Sequence, residues 1–404
     1  MNSIVNRRNI GVTPWICAVL LLVVSQPFWT WDTVEFVAIV VPLLILLFAW
    51  RDIRQSKIGL WGVIAWVFQL YILSFFNKST NVNGFLFLII KWIGFASIFL
   101  CSASFIRNCM ECFIRIIAVF FIFAIIEHLL ICFWGKSLVS PSVRSQFELG
   151  RTFYVYLLNT YIQFQYDSFS VFRRFAAFYE EPGVIGNITM VLLYAQRFDF
   201  KKWYNIVLLI SGILSFSLAF YIAIIAYYII FGSTKAKIAF SIVALLSVYY
   251  FSNNEYLYDV LFGRLEFENG GLAGYNRENE DFKFWFSGVK LEEYLFSGYK
   301  PKEAVPYAAS WQWAFALIGV IPSVLYLIVL LISRRTGIKG FGDLLKGVVI
   351  ISIIWIQRPF VYSYFYVLMM VLPFIFYQTD YTLIKTEKLG KTKSLLVNNS
   401  TING

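Results

Sequence analysis

WYNIVLLISGILSFSLAFYIAIIAYYIIF, residues 203–231, decides how the chain is arranged. RFDFKK (197–202) precedes it and GSTKAK (232–237) follows it. A helix needs about 20 residues to cross a hydrocarbon layer of about 30 Å, so the length suits one crossing better than two. Basic loops, however, stay on the cytoplasmic side. One crossing would put GSTKAK and the later RRTGIK (334–339) outside, whereas two return every basic turn to the cytoplasm. The charge argument prevails, because a broken or re-entrant pair hinged near LSFSLAF (214–220) is tolerated where protein covers the freed backbone.

The rest of the chain fits that frame. Of its 404 residues 59% are hydrophobic and 14% charged, against about 45–50% and about 25% in soluble globules. Apolar runs lie at 15–31, 34–50, 58–76, 83–105, 113–134, 183–196, 203–231, 237–252, 311–333, 345–357 and 361–379. Basic residues gather at Arg7 and Arg8, in RDIRQSK (51–57), in a turn over 106–115, and in the Lys-rich C-terminus. The expectation is an all-α polytopic integral membrane protein of about 12 transmembrane helices, with two large outward-facing loops over about 135–182 and 253–310. Residues 1–385 form a single transmembrane domain and 386–404 a disordered cytoplasmic tail.

The first run lacks a small-x-small cleavage site and reads as an uncleaved helix. The net charge of +11 belongs to loops, so it does not imply nucleic-acid binding. Five cysteines give no disulfide framework, and the lone pair Cys109 and Cys112 reads as reduced thiols rather than a metal or redox site.

VFRRFAAFYEEPGVIGNI, residues 171–188, sets four charges at the outer start of the sixth apolar run. Pro182 suits the first position of a helix, and the pre-proline Glu181 its cap. One reading is structural: Glu181 caps the helix while Arg173 and Arg174 meet Glu180 and Glu181 seven residues on, provided 172–180 is helical. The other is functional. Two guanidinium forks match phosphate geometry, Gly183 and Gly186 leave room for a substrate, and a carboxylate can orient or deprotonate a hydroxyl. Cations, carboxylate and membrane level together point to a lipid-linked phosphate.

RFAAFYEEPGVIG (174–186) resembles the Arg–aromatic–Glu-Pro-Gly signature of the O-antigen polymerase (Wzy) family, relatives of the O-antigen ligases. LSFSLAFYIAII is similar to that family's short broken span. GYNRENEDFKFWFSGVKLEEYLFSGYKP followed by WQWAFALIGVIPSVLYLIVLL resembles its last loop and the helix after it. The resemblance covers about residues 150–335. It implies a GT-C-like membrane glycosyltransferase that works without a metal or other cofactor, on the outer face of a bacterial plasma membrane. The enzyme would join polyprenyl-diphosphate-linked oligosaccharide repeats into O-antigen, capsule or exopolysaccharide, with a chain-length regulator as a further partner.

On that reading Arg173, Arg174, Arg277, Arg264 and Arg358 hold the diphosphate. Glu181, with Glu180 second, serves the acceptor hydroxyl beside Arg173. Gly183, Gly288 and Tyr299 offer backbone approach or sugar contact. Arg277 followed by ten residues and Gly288 matches a spacing associated with these polymerases. Solvated pairing of Arg277 with Glu278, Glu280 and Asp281 is its alternative. The nearest rival activity is a ligase-type glycan transferase. His128 is the only histidine, however, and the ligases place a functional histidine in the second loop. A flippase or transporter for the same lipid-linked sugar is the rival of another class; it would usually show an internal repeat.

Overall fold

The computed structural model describes residues 11–55, 59–74, 82–135, 139–146, 151–163, 173–253, 258, 267–268, 271–272, 284, 287–297, 311–333, 341–357 and 360–376. Helices dominate. The first, α1 (Val12–Val24), stops seven residues short of the apolar run's end. The Ser25 hydroxyl turns back to the Leu22 carbonyl at 2.7 Å, Gln26 takes a positive φ of 64°, and Pro27 has no N–H to continue the ladder. A 3-10 turn, Phe28–Thr33, leads into α2 (Val34–Gln55). Pro42 inside α2 meets Gly94 of α4 (Val82–Leu100), where a Cβ would collide with the proline ring. α3 (Leu60–Ser74) packs on α4.

The expected basic turn over 106–115 is not a turn. α5 runs unbroken from Ala103 to Trp134. The break falls earlier, at Ser102, which caps α5 with its hydroxyl and gives its backbone N–H to Asp52 at 2.7 Å. Arg107 pairs with Glu111 at 3.0 Å one turn along the same helix. Gly135 closes α5 in the left-handed conformation, φ 62°, the usual helix stop for a residue without Cβ.

The first hydrophilic stretch carries an antiparallel sheet, β1 (Ser142–Gln146), β2 (Arg151–Val155) and β3 (Thr160–Ile162), in that spatial order. Arg144 pairs with Phe153, and Phe153 with Ile162. The sheet lies against the 3-10 turn: the Trp31 and Phe153 rings are 4.8 Å apart and Arg144 reaches Asp32 at 4.0 Å.

The stretch that decided the topology is two helices, α7 (Trp203–Leu214) and α8 (Leu218–Phe231), broken at Ser215–Ser217. Both pack on α6 (Pro182–Ala195). Tyr194 near the end of α6 contacts Tyr227 and Phe231 near the end of α8, with ring centroids 5.0 and 6.0 Å apart. α6 and α8 therefore run the same way and α7 runs against them. α9 (Thr234–Ser252) follows. The run expected at 311–333 divides at Gly319, φ 93°, into α10 (Trp311–Ile318) and α11 (Val320–Ser333). α12 (Phe341–Gln357) and α13 (Tyr364–Phe376) complete the described helices.

Contacts show which helix ends share a face. On one face lie Asp52 of α2 with Ser102, Arg107 of α5 with the Phe376 ring of α13 (5.1 Å), and Arg115 of α5 with Tyr204 of α7. On the other lie Phe28 with Phe178, the end of α5 with the β2–β3 turn, and the end of α7 with Phe175. Phe28–Gln55 and α5 are long and apolar enough to cross a membrane, and shorter apolar helices accompany them. The outside of the bundle is apolar too. Leu47, Phe123 and Leu245 are 70%, 58% and 70% exposed, a surface compatible with a membrane protein.

Candidate functional site

Residues 173–180 are not helical, so the seven-residue spacing of arginines and glutamates does not act through two helical turns. Ala177 sits at φ 45°, and Glu181 is extended at φ −144°, ψ 147°, as a residue before proline prefers. Phe175, Ala176, Ala177, Phe178 and Tyr179 are all buried. An irregular backbone can be buried only if its polar groups find partners, and these do. Phe175 gives its N–H to Leu214 (3.0 Å), Phe178 accepts from Phe28 (2.8 Å), and Ala177 accepts from the Thr160 N–H (2.8 Å). The Thr160 hydroxyl donates to Tyr179. Turn, sheet and broken helix pair are thus stitched together through one strand of chain.

The two arginines diverge. Arg173 donates from Nη1 to the carbonyl of Ile131 in the last turn of α5, at 3.3 Å. Arg174 donates from Nε to Ser215 and from Nη2 to Phe216, each at 3.3 Å. Both guanidiniums therefore sit at helix C-terminal ends, where carbonyls and the negative pole of the dipole favour cations. This is a structural task, on backbone carbonyls rather than through the helical pairing with Glu180 and Glu181 that the sequence suggested.

Glu127 and His128, near the C-terminal end of α5, serve the loop. Glu127 is buried and accepts from the backbone of Leu157 (3.2 Å) and Leu158 (2.9 Å) and from the Asn159 amide (2.9 Å). His128 meets Tyr161 at 2.7 Å through Nδ1. Burial pushes the Tyr161 phenol well above its ordinary range, so it stays a neutral hydroxyl.

Pro182 opens α6 as expected and Glu181 occupies the cap position, but the carboxylate makes no capping hydrogen bond. Every residue of α6 is buried except Gly183. A Cβ at Gly183 would meet nothing within 4 Å, so the helix start is open there. Gly186 is different. A Cβ there would strike Ser217 and Phe220, so this glycine lets the hinge approach α6 and leaves no room for substrate. Glu181 and Gly183 therefore stand at one open mouth, the start of α6, while Arg173 and Arg174 turn to the ends of α5 and α7. α7, 12 residues long, spans only about 18 Å at a 1.5 Å rise, against 32 residues in α5.

Arg264, Arg277, Tyr299 and Arg358 lie outside the described residues. Gly288 is an exposed turn. Beyond it a π-helical turn, Glu293–Ser297, rests on α10 and α11, with Tyr294 6.5 Å from Phe315. Lys91 lies over the Tyr362 ring at 5.6 Å. Cys109 and Cys112 are buried free thiols. Among the described residues no three His, Cys, Asp or Glu side chains come together as metal ligands.

One residue escaped the sequence reading. Asn187 of α6 is 4% exposed and, among the described residues, its Oδ1 has no hydrogen-bond partner. An unsatisfied buried amide costs about 1–3 kcal/mol. The available signal was an asparagine four residues after Gly183 in an otherwise apolar helix. The sequence matches no family model, and no curated protein or solved structure is similar to it.

Proposed function

We propose that the chain is a membrane polysaccharide polymerase. It joins polyprenyl-diphosphate-linked oligosaccharide repeats by glycosyl transfer on the outer face of a bacterial plasma membrane. The observation that favours this reading is the open start of α6 at Gly183, with Glu181 at its cap position and the non-helical chain from Arg173 to Glu180 leading into it. A helix start with nearby guanidiniums attracts anions, and the likeness of RFAAFYEEPGVIG to the polymerase signature adds the substrate class.

The topology proposed with it has twelve crossings, α10 and α11 together making one. The face that holds Asp52, Arg107, Arg115 and Lys202 is cytoplasmic by its basic residues. The mouth of α6 and both hydrophilic stretches are then external. Buried irregular backbone at membrane depth is permitted there because it is covered by protein or lines a wet cavity.

In the reaction a hydroxyl of the acceptor repeat attacks the anomeric carbon of the donor chain. The new carbon–oxygen bond forms as the bond to the diphosphate breaks, and polyprenyl diphosphate leaves with the electron pair. The hydroxyl proton passes to Glu181, or to Glu180 in the second assignment. Positive charge from Arg173 and Arg174, joined by Arg277, Arg264 and Arg358 of the outer segments, favours the charge that develops on the leaving group.

Purified protein given a single lipid-linked repeat tests the class. A polymerase lengthens it with no other acceptor, whereas a ligase requires a different acceptor and a transporter changes no covalent bond.

A further inference from the structure

Asn187 is a polar side chain of α6 that the reaction above does not use. Thr189, two residues on, satisfies itself by donating to the carbonyls of Ile185 (2.7 Å) and Gly186 (3.3 Å). Asn187 is 4% exposed, and among the described residues no hydrogen bond satisfies its Oδ1. Residues four apart share a helix face, and side chains lean toward the helix N-terminus. The Asn187 amide therefore covers the turn at Gly183, where α6 is open and a Cβ would touch nothing within 4 Å. The adjoining face, at Gly186, is closed by Ser217 and Phe220.

The chemistry of the amide narrows its partner. A carboxamide offers an acceptor oxygen and two N–H donors. A diphosphate at neutral pH has only acceptors and would leave the amide oxygen unsatisfied whichever way the group is turned. A pair of sugar hydroxyls, or a hydroxyl beside an acetamido group, serves both halves. We infer that Asn187 lines a sugar subsite at the start of α6, where its amide hydrogen-bonds the sugar next to the diphosphate of the lipid-linked substrate. This rests on the polymerase reading for the identity of the ligand, while the open subsite itself stands on the geometry. Asn187 is a specificity residue in this scheme; the arginines hold the anion and the amide distinguishes what hangs from it.

The test is cysteine protection in full-length protein in lipid nanodiscs, with Cys132 changed to Ser. Asn187→Cys is compared with Thr189→Cys, which faces away, using a membrane-impermeant methanethiosulfonate. The added probes are farnesyl diphosphate and the purified lipid-linked repeat unit. The expected result is modification at position 187 at least tenfold faster than at 189, slowed severalfold by the repeat unit but not by farnesyl diphosphate. Equal rates at the two positions would overturn the subsite. Equal protection by both probes would place Asn187 at the diphosphate and overturn the sugar assignment alone. Reactivity that neither probe slows would overturn the assignment together with the polymerase site. Should Asn187→Cys not fold, Asn187→Ala is measured for binding instead. The repeat unit is expected to bind about tenfold more weakly with farnesyl diphosphate unchanged, and an equal change for both, or none, refutes the inference.

Discussion

Nη2 of Arg174 lies 3.3 Å from the carbonyl oxygen of Phe216, a residue held at φ 45° in the break between α7 and α8. With Nε on Ser215, the guanidinium spans the hinge as a fork. Arg174→Ala is expected to destabilise the protein by about 2 kcal/mol, since hydrogen bonds to charged groups contribute about 1.5–3 kcal/mol. Arg174→Lys should recover less than half of that, because an ammonium cannot bridge two carbonyls in one plane. Thermal unfolding in matched lipid decides it; an unshifted midpoint in Arg174→Ala would show that the hinge stands without the arginine.

Gly183 and Gly186 separate function from packing. Gly186→Ala drives a methyl group into Ser217 and Phe220 and should cost about 1–3 kcal/mol by overpacking, visible as reduced protein in the membrane. Gly183→Ala meets open space and should leave the amount of protein unchanged, while Gly183→Trp blocks the mouth and abolishes polymer without loss of protein. Equal losses of protein in Gly183→Ala and Gly186→Ala would contradict the open start of α6.

Glu127→Gln replaces one acceptor oxygen by an amide that faces N–H donors from Leu157, Leu158 or Asn159. The β2–β3 turn should loosen by about 1–3 kcal/mol. Limited proteolysis should then cut between residues 139 and 163 far faster than in the unaltered protein. A cleavage rate that does not change would mean the sheet does not depend on this carboxylate.

The sequence announced what is local. Pro182 after Glu181 placed the start of α6, and the basic turns flanking and following 203–231 called for a break near LSFSLAF, which falls at Ser215–Ser217. Long-range partners were out of reach. Nothing near Arg173 in the chain names Ile131, and nothing near Thr160 names Ala177 and Tyr179. Part of the sheet could have been found: RTFYV and TYI are rich in β-branched and aromatic residues, the strand signal, whereas SVRSQ offers Val143 alone. It was masked by reading 135–182 as a loop between spans. FRRFAAFY carries two alanines and three phenylalanines and satisfies a helix pattern. Residues 173–179 stay non-helical, with a turn at Ala177, because backbone groups of Phe175, Ala177 and Phe178 bond outward to Leu214, Thr160 and Phe28, a tertiary override that periodicity cannot display.

The most direct measurement compares surface-polymer length in cells carrying Glu181→Gln or Arg173→Lys with cells carrying the unaltered chain, at equal protein in the membrane. Glu181→Gln keeps the size of the side chain but cannot take the acceptor proton, and Arg173→Lys keeps the charge but loses the fork. The account predicts that Glu181→Gln leaves chiefly single repeats, a loss on the order of 100-fold or more in elongation, and that Arg173→Lys shortens the ladder. Full-length ladders from both would contradict it.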